Sequence, residues 1–167
     1  QDGEQRRIDQ LAEFADLAER HGLHPLIEFI GLSSLRTLAE ALAASERTQR
    51  PKLQIEVDSL NLFRSGSTPA ELLTVPVSRL GRAQISDGPL VPALDMRIEA
   101  TYQRMLPGEG EFPLVEFINC LPDGLTIGIE AQHRSAEGPP RNGAERARMA
   151  IKATRAVLQQ ARHLREG

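Results

Sequence analysis

Apolar positions along the chain alternate between two periods. Ile8, Leu11, Ala12, Ala15 and Ala18 recur at helical spacing within residues 4–21, and Gly22 follows as a stop signal. Residues 23–30 (LHPLIEFI) form a short apolar run that predicts a strand. Ser33 and Ser34 are N-cap candidates for a helix holding Leu35, Leu38, Ala39 and Leu42, which fades before Pro51. Residues 53–58 (LQIEVD) alternate with period two, as a strand does. Thr68, Pro69 and Glu71 mark the start of a short helix, and residues 79–86 (RLGRAQIS) predict a third strand. The polar, Pro- and Gly-rich residues 87–110 then read as a long loop, with Asp95, Arg97 and Glu99 in solvent. Helical spacing resumes at Leu114, Phe117, Ile118 and Leu121, followed by a Pro122-Asp123-Gly124 turn and a fourth strand over 125–130 (LTIGIE). Residues 132–141 read as a loop. Asn142 and Glu145 resemble a capping box for a last helix whose stripe is Ala147, Ile151, Thr154, Leu158 and Ala161.

The order αβαβαβαβα predicts a parallel sheet with helices outside it. An open doubly wound sheet and part of a (β/α)8 barrel both satisfy it. The glycine patterns of Rossmann and P-loop nucleotide sites are missing.

Composition narrows the function classes. The chain has 167 residues, 40% of them hydrophobic, with a formal net charge of −3. Neither a nucleic-acid partner nor a polybasic membrane anchor is suggested, and no apolar run is long enough to span a bilayer. One cysteine, Cys120, leaves no internal disulfide and no cysteine-based zinc site, so a cytoplasmic setting is the expectation. The missing initiator Met is expected to mark a truncated sequence.

Candidate chemistry sits at the strand ends. Glu28, Asp58, Gln84 and Glu130 each stand at or near the C-terminal end of a predicted strand. A single carboxylate there is ordinarily a cap or a loop residue. Parallel strands are buried on both faces, however, so four such residues on four consecutive strands are costly unless paired or metal-bound. In α/β folds this edge is where ligands bind. Three carboxylates and one amide oxygen suit a hard divalent cation.

These residues and their surroundings resemble the sugar phosphate isomerase/epimerase family, the xylose isomerase-like TIM barrels. The likeness includes Glu28 within LIEF, Val57-Asp58 followed by Asn61 and Arg64-Ser65-Gly66, and Gln84-Ile85-Ser86-Asp87. It continues through Arg104-Met105-Leu106-Pro107-Gly108-Glu109-Gly110-Glu111 to Ile129-Glu130. It implies a (β/α)8 barrel of which residues 1–167 form a partial domain, about the last four to five β/α units, with the N-terminal strands missing. A complete barrel has eight strands and ~250 residues. Half of one is expected to expose two sheet edges and an apolar inner face.

The resemblance further implies metal ligands Glu28, Asp58, Gln84 and Glu130 for Mn2+, Mg2+, Co2+ or Zn2+. Glu28 and Glu130 would be the catalytic acid–base pair. Arg104, Asn61, Asp87 and His133 would contact substrate, with Asn61 standing where many members carry His. The implied reaction is a divalent-metal-dependent isomerisation or epimerisation of a sugar or sugar phosphate, by proton transfer through a metal-bound enediolate. The alternatives are a metal-dependent dehydratase of 3-dehydroshikimate or inosose type and a non-catalytic sugar- or polyol-binding barrel. The implied partner is a small-molecule sugar or polyol, with no nucleic acid and no membrane; homo-oligomerisation stays open.

Overall fold

The computed structural model describes residues 2–92, 95–131 and 142–166. Helix α1 (Asp2–Arg20) leads into β1 (Leu26–Glu28), α2 (Leu38–Arg47) and β2 (Gln54–Asp58). Helix α3 (Ser59–Arg64) follows at once, then two 3-10 turns (Pro69–Thr74 and Val77–Arg79) and β3 (Leu80–Ile85). One helical turn, α4 (Met96–Ile98), runs into a π-turn (Glu99–Gln103); α5 (Leu114–Cys120), β4 (Ile127–Ile129) and α6 (Gly143–Glu166) complete the chain.

The four strands pair in chain order, β1-β2-β3-β4, and every pairing is parallel. Ile55 and Val57 of β2, Ala83 and Ile85 of β3 and Ile127 of β4 face the helices, where they join Phe29, Leu60, Phe117 and Leu121. A smaller cluster of Ala15, Ile27 and Leu53 seats α1. Each large side chain buried here contributes ~1.5–3 kcal/mol, so the outward sheet face holds the layers together. Ion pairs tie α1 to the α2–β2 region: Glu4 with Arg47, Asp16 with Arg50, Glu19 with Lys52. Such exposed pairs are worth at most ~1 kcal/mol each and fix orientation more than stability.

The opposite sheet face is not the expected apolar one. Alternation puts Glu56, Asp58, Arg82 and Gln84 there, and Glu56 takes a bidentate pair from Arg82 at 2.5 and 2.9 Å. Gly81 marks the β2–β3 register shift; a Cβ there would collide with Leu26 and lie 2.9 Å from the Gln54 Cβ. The inner wall of this partial barrel is therefore polar.

Three local expectations change. The N-cap of α2 is Thr37, not Ser33 or Ser34: its hydroxyl accepts from Glu40 N, and Glu40 reaches back to Thr37 N. Ser33 instead closes a turn onto Leu35. Residues 87–110 are not a plain loop, because they hold α4, the π-turn and an antiparallel bridge between Asp87 and Met105. Glu99 is buried rather than solvated, at 4% exposure. No described helix is long and apolar enough to cross a membrane.

Candidate metal centre

The C-terminal edge of the sheet brings the acidic residues together. Glu28 ends β1, and Asp58 ends β2 while also capping α3, its Oδ1 accepting from Asn61 N at 3.0 Å. Glu130 follows β4 directly, held in the ladder by its N–H donating to Ile85 O at 3.1 Å. One carboxylate oxygen from each of Glu28, Asp58 and Glu130 lies within 4.8 Å of the others. Gln84 stands in register beside Asp58, and Gly128 stands beside Gln84, where a Cβ would meet Gln84 Cγ at 3.6 Å.

The electrostatics are those of a site short of positive charge. Burial pushes the Glu28 carboxyl up from 4.5 to about 7, with Asp58, Glu130 and Glu56 adding to the shift and Arg104 opposing it. Burial also raises Asp58, against the pull of Arg104 and of the backbone N–H groups of Asn61 and Leu60. Glu130 is raised by burial too, with Arg104 again opposing. Among the described residues, Arg104 is the cation in direct contact with Asp58 and Glu130, and Arg82 acts on Glu130 from farther off. Its Nη1 donates to Asp58 Oδ2 at 2.7 Å and to Ser86 Oγ at 3.3 Å, and its Nη2 lies 3.4 Å from Glu130 Oε2.

A divalent cation fits this donor set. Three carboxylates carry −3, which +2 from the ion and +1 from Arg104 would cancel. A second observation agrees: Gln84 Oε1 is buried and has no hydrogen-bond partner among the described residues. An orphaned amide oxygen of that kind costs ~1–3 kcal/mol unless something else satisfies it. Glu28, Asp58, Gln84 and Glu130 could thus hold a hard ion together.

The remaining predicted residues fall differently. Asn61 is buried and donates through Nδ2 to Glu28 Oε1 at 2.8 Å, so it orients that carboxylate. Asp87 is fully buried and accepts from three backbone N–H groups, Gly88 at 2.9 Å, Gly108 at 2.8 Å and Phe112 at 3.0 Å. His133 lies outside the described residues. Sequence reasoning missed Ser86 as a partner of Arg104, and Arg82 as the partner of Glu56. For Arg82 a signal existed, since period two puts it on the face of Gln84; for Ser86 none did.

A family model described as xylose isomerase-like TIM barrel matches residues 1–157. No curated protein matches the chain. Among solved structures, a xylose isomerase-like TIM barrel/4-hydroxyphenylpyruvate dioxygenase fusion protein superposes with TM-score 0.83 at 20% identity, over 98% of this chain and 26% of its own. The IolI protein, solved with a bound zinc atom, gives 0.76 at 21% identity, over 95% of this chain and 57% of its own. An L-ribulose 3-epimerase gives 0.76 at 15% identity, over 99% of this chain and 57% of its own. The chain thus spans between a quarter and three-fifths of these relatives' lengths. Fold, strand-edge geometry and the match over residues 1–157 agree: the chain belongs to the xylose isomerase-like TIM barrel family.

Proposed function

We propose that the protein is a divalent-metal-dependent isomerase or epimerase of a sugar or sugar phosphate, moving a proton at a carbon next to a carbonyl. The observation that carries this reading is the convergence of Glu28, Asp58 and Glu130 within 4.8 Å, beside a Gln84 Oε1 with no hydrogen-bond partner among the described residues. The zinc-bound IolI protein and the L-ribulose 3-epimerase, which share the fold, support it.

Glu28, Asp58, Gln84 and Glu130 would hold the cation. When bound, that cation would polarise a carbonyl and stabilise the negative charge developing on its oxygen. The Gln84 amide neither ionises nor takes up a proton near neutral pH, so its part is holding and orienting. Asp58 is fixed on both oxygens, by Asn61 N and by Arg104, and cannot swing toward a substrate. Proton transfer therefore falls to Glu28 and Glu130, which are half-buried and have longer side chains. Asn61 holds Glu28 Oε1, so Oε2 is the atom free to turn. Arg104 lies against Asp58 and Glu130, balancing charge, and would meet a substrate oxygen at the same mouth.

Solvent deuterium exchange tests the reading directly. Metal-loaded protein is incubated in D2O with a panel of ketoses and their phosphates, inosose and 3-dehydroshikimate. Exchange next to the carbonyl, with recovery of an isomer or epimer, is the expected result. Loss of water from inosose or 3-dehydroshikimate would replace the reading by a dehydratase. No exchange with any member would leave a sugar- or polyol-binding barrel.

A further inference from the structure

We propose that the buried Arg64–Glu99 ion pair is a positioning device for Arg104, fixing residues 95–104 so that the Arg104 guanidinium reaches Asp58 and Glu130. Arg64 closes α3, the helix that Asp58 caps, so one end of the device is built on the same backbone as the site. Its Nε donates to Glu99 Oε2 at 2.7 Å and its Nη2 to Glu99 Oε1 at 2.5 Å, with both side chains 5% exposed. The same guanidinium donates to Pro89 O at 2.6 Å and Leu90 O at 3.1 Å, and lies 4.9 Å from the Phe112 ring centroid.

Glu99 opens the π-turn that delivers Arg104, and Ala100 O within that turn accepts from Arg104 Nε at 3.1 Å. The path from anchor to site is therefore Arg64, Glu99, Ala100, Arg104, Asp58. Glu99 and Arg104 are the only buried residues between 95 and 104, while Ile98, Thr101, Tyr102 and Gln103 face out. The segment also rests on Met96, whose Sδ would lie 3.0 Å from a Cβ at Gly31. With so little apolar burial, the ion pair restrains this segment together with the Ala100 contact on the core and the Asp87–Met105 bridge just past Arg104. Desolvation offsets much of the attraction in a buried pair, so its clearest contribution is geometric.

Two measurements test this, and only the second rests on the reading given under Proposed function. Arg64→Met/Glu99→Met removes both charges together, leaving no unpaired buried ion to unfold the protein. Hydrogen exchange of the amides in residues 99–104 should quicken by roughly tenfold or more in that variant, with the strands still protected. In the second, Co2+ affinity is titrated for wild type, Glu99→Gln, Arg104→Gln and the double variant. Loss of such an outer contact shifts metal affinity by ~10–100-fold, so Glu99→Gln should move it in the same direction as Arg104→Gln and add nothing in the Arg104→Gln background. Unchanged exchange over 99–104, or additive shifts in Co2+ affinity, would overturn the proposal. A wild type that binds no Co2+ would count against the metal reading instead, and the exchange measurement alone would then decide this one.

Discussion

At the scale of single residues, Glu28 and Glu130 differ from Asp58 in what their surroundings leave free. Asp58 has both oxygens bound by the protein, whereas among the described residues the Glu130 carboxylate has only the longer contact to Arg104. Assayed at a metal concentration that saturates the variant, Glu130→Gln should therefore keep the fold and lower kcat by ~10²–10⁴-fold, the usual share of general acid–base catalysis. A kcat within a factor of two of wild type, on whichever substrate exchanges deuterium, would remove Glu130 from proton transfer. Glu28 adds a pH signature. Its folded value, about 7, stands above the ordinary 4.5, so the folded state binds that proton more tightly than the unfolded chain does. The metal-free protein thus has this contribution in full below pH 4.5 and loses it as pH rises through about 7. Urea unfolding across that window should show wild type weakening relative to Glu28→Gln, and parallel curves would contradict it.

At the scale of elements, Asp87 shows how the family-like loop is built. Its carboxylate gathers the backbone N–H groups of Gly88, Gly108 and Phe112, and a Cβ at Gly110 would lie 2.6 Å from Gly88 N and closer still to Asp87 Oδ1. Asp87→Asn turns an amide toward an N–H donor and should cost ~1–3 kcal/mol in urea unfolding. A cost within error of zero would mean water replaces those bonds. The elements themselves were legible to unequal degrees. LQIEVD announced β2 through its alternation, and the Glu28, Asp58, Gln84 and Glu130 positions followed from strand ends alone. Helix α3 did not announce itself, because Ser59–Arg64 begins with no linker after β2 and its cap, Asp58, had already been assigned to the strand. The cap of α2 was hidden among several eligible residues until the Thr37–Glu40 reciprocity chose one. The fold of 95–104 was illegible for another reason. Its order comes from Arg64, some 35 residues away, and a pairing at that range leaves no local pattern.

At the scale of the whole molecule, β1 and β4 each have one paired neighbour among the described residues, and the inner wall between them is polar rather than apolar. Unpaired strand edges favour association with other chains. These 167 residues on their own should therefore self-associate through the open edges, running larger than a monomer in sedimentation. A monodisperse monomer with cooperative unfolding would show that an open four-stranded sheet suffices. The central claim, however, is the ion. Titration of the metal-stripped protein with Mn2+ or Co2+ should give one ion per chain, and Asp58→Asn and Glu130→Gln should each weaken binding sharply. Unchanged stoichiometry and affinity in both variants would contradict a metal centre built from these carboxylates.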